Sequence, residues 1–462
     1  MAEYSVTIAS TLTALMSERK YNTVRDILVT MNPSDIAYVF AELEEDRLPL
    51  FFRLLPKELA AETFVEMEPD AQELLIRGFS DTELREVVSE LYVDDAVDLV
   101  EEMPANVVKR ILSQADPQMR KEINEILRYP ENSAGSIMTT EYISLRPAMT
   151  VEEAILRIRR TGYDKETIYT CYVTKDRTLV GLVTVKDLLL AEDDETLISD
   201  LMETNIISVN THTDQEEVAH MFSKYDFLAF PVVDAEYRMV GIVTFDDAMD
   251  VMEDEATEDM EIMGGMTPSD KTYLRSTTLD LFKQRIPWLL LLMVSATFTG
   301  LIITSFESAL AAQVALTAFI PMLMDTGGNS GSQSSVTVIR ALSLGELSFS
   351  DLAQVIWKEI RTAVVCGLTL AAACFIKILL VDRLMMGNED ITVMVDAVVC
   401  ITMALTVLVA KVIGCSLPML AKKLGFDPAV MASPFITTIV DAISLLVYFG
   451  VATMLLDMTP VA

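Results

Sequence analysis

The chain has 462 residues, too many for one ordinary domain, and 51% of them are hydrophobic, a high share for a wholly soluble protein. Its formal charge is −34, and the acids are concentrated: residues 1 to 284 hold 26 Lys and Arg against 57 Asp and Glu, the remainder 9 against 12. Such an excess of carboxylates attracts cations and repels nucleic acid and anionic lipid surfaces, which argues against nucleic-acid binding and other polyanion-binding roles.

Residues 1 to 130 read as an acidic domain of short helices. Pro56, Pro69, Asp81, Asp94, Pro104 and Pro117 recur at near-regular spacing, each opening a unit such as LPKELAAETFVEM or MPANVVKRILSQA. Pro and Asp suit the first turn of a helix, and the apolar residues that follow stand three and four apart. A single such helix cannot bury its apolar face, so the units are expected to stack as a helical solenoid.

Residues 136 to 252 contain a second kind of repeat. SIMTTEYISLRPAMTVEEAILRI aligns with DLMETNIISVNTHTDQEEVAHMF, and LVGLVTVKDLLL with MVGIVTFDDAMD. Each copy predicts a short strand, a helix opened by a Thr or Asp cap, two apolar strands and a last helix. The pair resembles tandem CBS domains, an α/β regulatory module that often binds nucleotides and occurs on enzymes, channels and transporters alike.

A long acidic linking helix and connector follow, placed at 253 to 284 and entered through TFDDAMDVMEDEATEDMEIM. Beyond it, positions 286 to 305 carry no charge, a run long enough to cross a bilayer core as a helix. Further spans are expected near 311–341, 361–381, 392–418 and 428–456, giving a five-span α-helical membrane domain over 285–462. Basic residues Lys283, Arg285, Lys358, Arg361, Lys422 and Lys423 place their loops, and with them the large acidic half, in the cytoplasm. Five spans then leave the C-terminus outside. The opening MAEYSVTIAS lacks the pattern of a signal peptide.

The second span reads PMLMDTGGNSGSQSS from Pro321 to Ser335, too rich in Gly and Ser for a lipid-facing helix. If its backbone unwinds, freed carbonyls together with Asn329 and Gln333 offer neutral oxygens to a hydrated cation. The same glycines also suit a small-residue packing seam. In the fifth span, SPFITTIVDAISLLVYFGVA carries Asp441 near its middle, where a charge costs about 2.5 to 3.5 kcal/mol on insertion scales and must face a cavity, an ion or a partner. Lys377 and Lys411 are the candidate partners on neighbouring spans. Five cysteines, four of them in apolar runs, imply no disulfide framework, and with only two histidines the oxygen ligands far outnumber soft ones.

The order of acidic helical domain, CBS pair, linking helix and five spans, with PMLMDTGGNSGSQ in the second span and SPFITTIVDAIS in the fifth, resembles the MgtE family of magnesium channels. The resemblance implies a homodimer in the cell membrane whose second and fifth spans line one pore, Asp441 holding hydrated Mg²⁺ with Asp325, Gly328, Asn329 and Gln333 nearby. It further implies a cytoplasmic Mg²⁺ sensor at Asp94, Asp98, Glu216, Asp226, Asp247, Asp250, Glu255, Glu258 and Asp259, closing the pore when the ion is plentiful. The acids crowded between Asp246 and Asp259 repel one another, as such feedback requires. Tyr169, Lys186 and Asp187 match positions where some relatives contact a nucleotide, which makes ATP a candidate second ligand. No Ser-His-Asp or Cys-His set, P-loop or HExxH is visible, so an enzyme is not expected. A less selective carrier of Mn²⁺ or Co²⁺ and a nucleotide sensor without transport remain the alternative readings.

Overall fold

The computed structural model describes residues 2–269, 273, 276–387 and 391–456. Part of the connector expected within 253–284, the acidic end of the loop at 388–390 and the last six residues lie outside this set. Two compact units divide the chain, residues 1–252 and 253–462.

Among the described residues of the first unit, ten short helices run from α1 (Ala2–Ser17) to α10 (Pro117–Ile126), among them α3 (Pro33–Ala41), α5 (Lys57–Val65), α6 (Pro69–Gly78), α7 (Asp81–Val88) and α9 (Ala105–Gln114). The punctuation seen in the sequence sits at their starts: Pro69, Asp81 and Pro117 are the first residues of α6, α7 and α10, and Pro56 and Pro104 precede α5 and α9. Alternate helices pack together, α3 on α5, α5 on α7 and α7 on α9, the stacking expected of units that cannot bury their faces alone. Helix α8 (Val93–Glu102) packs on α10 and buries Val93, Ala96, Val97 and Val100.

Each following repeat forms a three-stranded sheet. In the first, β1 (Ile143–Leu145) lies parallel to β2 (Thr170–Lys175), which pairs antiparallel with β3 (Thr178–Thr184); in the second, β4 (Val209–Asn210), β5 (Ala229–Val233) and β6 (Met239–Thr244) repeat the order. The expected caps are present. Thr150 and Glu153 form a reciprocal capping box at α11 (Val151–Thr161), as do Thr184 and Asp187 at α12 (Val185–Leu189), and Asp214 caps α14 (Gln215–Tyr225). A short α13 (Ile198–Leu201) joins the repeats. The last helix of the second repeat and the acidic linking helix are one element, α15 (Phe245–Met263).

The second unit contains α16 (Thr278–Ser305), a short α17 (Glu307–Ala312), α18 (Ile320–Ser343), α19 (Leu352–Lys377), α20 (Val393–Lys423) and α21 (Ser433–Leu455). Among the described residues, four segments are long and apolar enough to cross a membrane: Thr278–Ser305, Phe349–Met385, Val393–Lys423 and Pro428–Leu455. The third of the expected spans runs past α19 through a π-helical turn at Ile378–Met385. The second expected span starts later than 311, because the backbone there is α17 and a 3-10 turn, and only from Ile320 does a long helix run. Its Gly, Ser, Asn and Asp content sets α18 apart from the four apolar helices, and it packs against α20 and α21.

Candidate functional site

Helix α18 runs unbroken through TGGNSGSQ, so the unwinding that the glycines suggested does not occur. The glycines instead allow close packing. A Cβ on Gly328 would stand 2.6 Å from Thr437 Cγ2 of α21, and one on Gly331 would stand 2.9 Å from Ile436 Cγ2. Gly414 of α20 meets the Gly331 backbone so closely that a methyl group has no room. Small residues three and four apart thus let three helix backbones converge, and the intrahelical hydrogen bonds are kept because no lipid-facing backbone has to open.

This seam sorts the polar residues of α18 by face. Gly327, Gly328, Ser330, Gly331, Ser334 and Ser335 are buried, whereas Asp325, Asn329 and Gln333, four apart, form an exposed stripe on the single chain. Asp441 on α21 lies across the seam: its Oδ1 is 3.7 Å from the position of a Cβ on Gly328, and Asp325 is its acidic neighbour. That Oδ1 is buried and has no hydrogen-bond partner among the described residues. Two hydroxyls of α20 that the sequence did not single out, Thr402 and Thr406, are buried and unpaired in the same way, and Thr406 Cγ2 abuts Gly327.

Neither candidate lysine partners Asp441. Lys377 Nζ binds Asp382 at 2.8 and 3.0 Å, the carboxylate being brought back by the π turn. Lys411 is buried, donates to Ser334 Oγ at 3.2 Å and lies 3.8 Å from Glu359 of α19. Among the described residues the midspan carboxylate thus has neither lysine as partner.

A second group of carboxylates forms in the first unit, where α8, the first turn of α15 and the loop before β2 meet. Asp94 is buried, and burial together with the charge of Asp247 pushes its carboxyl well above the usual range. The same causes push Asp95 and Asp98 up to about 7, although Asp98 still reaches solvent and is the more screened of the two. Asp247, held by the Thr244 hydroxyl, is pushed to about 6, chiefly by burial. Glu166 reaches about 8 through burial and the charges of Asp247, Asp95 and Asp246. Glu141 is fixed at the edge, accepting from Val93 N–H and from the Thr139 hydroxyl, both at 3.0 Å. Asp94, Asp98 and Asp247 are among the acids that the family resemblance implies; Asp95, Glu141 and Glu166 are not, and for the two glutamates no spacing links a loop position to helices far away along the chain.

The other predicted acids are distributed. Asp259 of α15 accepts from Ser343 Oγ at 3.2 Å at the end of α18, and burial with the charges of Asp427 and Glu255 raises its carboxyl. Asp250 and Glu258 are exposed on α15. Glu216 lies 3.6 Å from His220, one turn along α14. Asp226, in a left-handed conformation ending α14, lines a cavity of ≈ 670 Å³ with Tyr169, Thr184 and Lys186, while Asp187 is engaged in the α12 cap. Among the described residues no three Asp, Glu, His or Cys side chains stand in a ready-made ligand set.

The profile of the divalent cation transporter family matches residues 320–451, that of the MgtE intracellular N domain residues 31–132, and that of the CBS domain residues 134–194 and 198–254. The chain is 36% identical over 455 residues to the magnesium transporter MgtE of Thermus thermophilus, which covers 97% of this chain and 99% of that protein. It is 33% identical over 440 residues to the magnesium transporter MgtE of Bacillus subtilis, covering 95% of each. Among solved structures, the cytosolic domain of the Mg²⁺ channel MgtE in complex with ATP superposes on 53% of this chain and 99% of its own, with a TM-score of 0.50 and 37% identity.

Proposed function

This chain belongs to the MgtE family of divalent cation transporters, and we propose that it conducts Mg²⁺ through a pore lined by α18 and α21 of two copies, with Asp441 as the ion-holding group. The observation that carries this reading is the buried, unpartnered Oδ1 of Asp441 beside Asp325 on a glycine seam. Mg²⁺ dehydrates reluctantly and is usually held by one or two carboxylates with its waters kept, so a carboxylate from each of two chains, with Asn329 and Gln333 ordering hydration water, suits a passing hydrated ion.

The two-copy arrangement rests on the stripe of Asp325, Asn329 and Gln333, which is exposed on one chain and too polar to face lipid. Helix α18, 24 residues and about 36 Å long, serves as the second of the five spans, screened from lipid by its neighbours. Five spans with basic loops inside put the acidic N-terminal half in the cytoplasm and the C-terminus outside. The chain acts as a channel or transporter rather than an enzyme.

Gating follows from α15, which carries Asp247 near its start and Glu255, Glu258 and Asp259 about 12 to 18 Å further along. Scarce Mg²⁺ leaves these acids and Asp94, Asp98, Glu216, Asp226 and Asp250 repelling one another; plentiful Mg²⁺ bridges them and favours the closed state by its differential affinity. The cavity at Tyr169, Lys186 and Asp226 takes a nucleotide such as ATP, the stacking face of Tyr169 and the Lys186 ammonium being the recognising groups.

The test is flux into proteoliposomes with Mg²⁺, Mn²⁺, Co²⁺ and Ca²⁺ compared, for the parent and Asp441→Asn. Mg²⁺ flux at least tenfold lower in the inserted, assembled variant is the expected result. Parental flux in Asp441→Asn would remove the pore assignment, and equal flux of all four ions would favour the unselective carrier.

A further inference from the structure

Around one cleft of the first CBS repeat, bases are more frequent than in the chain as a whole. Two adjoining cavities, of ≈ 730 and ≈ 990 Å³, share Arg146 and Arg157 in their walls. Arg160 adds to the first, and Lys175 and Arg177 add to the second. Among the described residues none of these five cations makes an ion pair. Their guanidinium and ammonium groups are thus free to meet an anion in the cleft.

Four acids, Glu153, Glu122, Glu125 and Asp176, line the same two cavities, and the first three have partners of their own. Glu153 Oε2 accepts from Thr150 N–H at 3.2 Å in the cap of α11; on the α10 wall, Glu122 takes the amide of Gln118, and Glu125 lies 3.5 Å from Lys121. Asp176 stands in the β2–β3 turn itself. That turn is unusual: Asp176 and Arg177 occupy its two central positions with φ of 50° and 70°, where Gly or Asn would be the easy choice. The second repeat fixes it, because Met239 N–H donates to the Arg177 carbonyl at 2.9 Å. Arg177 of this turn lines the cleft, whose lining also offers the hydroxyls of Ser144 and Thr174, 2.9 Å apart.

We propose that this cleft is a binding site for a small soluble polyanion carrying neighbouring phosphates, of the oligophosphate class, separate from the cavity at Tyr169 and Lys186. Guanidinium forks pair with phosphate oxygens two at a time, and cations spread over two adjoining cavities are satisfied by linked phosphates rather than by one monoanion. The cavity volumes are those of small-molecule sites.

The test is isothermal titration of the full-length, detergent-solubilised protein with inorganic tripolyphosphate, in the parent, Arg146→Gln/Arg157→Gln, Lys175→Gln/Arg177→Gln and Tyr169→Ala. The expected result is one tripolyphosphate per chain in the parent and in Tyr169→Ala, with affinity lower by about tenfold or more in each double variant and falling with added salt. No binding to the parent, or parental affinity in both double variants, overturns the proposal. Binding lost only in Tyr169→Ala overturns it too, by assigning the anion to the nucleotide cavity.

Discussion

Lys411 of α20 and Glu359 of α19 face each other at 3.8 Å inside the helical unit, and Ser334 of α18 joins them, its hydroxyl donating to Glu359 at 2.6 Å and accepting from Lys411 at 3.2 Å. Three helices are thereby tied at one buried point, next to Gln333 of the exposed stripe. Removing one partner of such a pair strands the other charge, at a cost of about 3 to 5 kcal/mol, whereas removing both costs far less. Lys411→Met and Glu359→Gln should each lower the thermal unfolding midpoint in detergent, and the double variant should lie closer to the parent than either. Strictly additive losses would mean that the two residues do not act as a pair.

The glycine seam separates two substitutions that look alike in sequence. Gly414→Ala places a methyl group against the Gly331 backbone and should push α18 and α20 apart, with loss of thermal stability and of flux. Gly450→Ala has open space and a helical backbone, so it should be neutral or stabilising by up to about 1 kcal/mol. Equal behaviour of the two variants would show that the close approach does not limit the fold.

The carboxylates around Asp247 give a pH dependence of defined sign. Their pKa values are raised in the folded state, so their docking is strongest below the ordinary carboxylate range near 4 and is lost as pH rises. The loss runs through about 6 for Asp247, about 7 for Asp95 and Asp98, and about 8 for Glu166. Hydrogen exchange of α8 in metal-free, full-length protein, corrected for intrinsic rates, should therefore show less protection at pH 8 than at pH 6. Saturating Mg²⁺ should restore it. Protection that is independent of pH without the metal would remove the repulsion on which the gating reading depends.

Neutralising Asp247, Glu255, Glu258 and Asp259 together, as the amides, should leave conduction intact and blunt its inhibition by cytoplasmic Mg²⁺. Inside-out patch recording across a Mg²⁺ titration measures both. Closure at the parental concentration and steepness would make these acids a solvated face.

Much of this architecture was legible because its signals are local. A Pro or Asp at the head of an apolar-periodic unit starts a helix wherever it stands, and a Thr or Ser cap with an acid at the third position is satisfied within one turn. A charge-free apolar run of bilayer length can span whatever its neighbours are. The aligned copies within residues 136 to 252 exposed the paired α/β modules for the same reason. Asp441 was legible as well, because a midspan carboxylate is anomalous on its own.

Which groups meet was decided by the tertiary structure. The glycines of α18 permitted either an unwound strand or a seam, and only the approach of α20 and α21 selected the seam by filling the space a Cβ would occupy. Lys377 and Lys411 were equal candidates for Asp441 until a π turn returned Asp382 to one and α19 brought Glu359 to the other. Glu166 and Asp95 joined Asp247 through the folding of segments far apart in the chain, and Arg146 came to share a cleft with Arg177 across a sheet. Sequence spacing encodes faces of single helices and strands; distances between elements depend on packing, which no local period records.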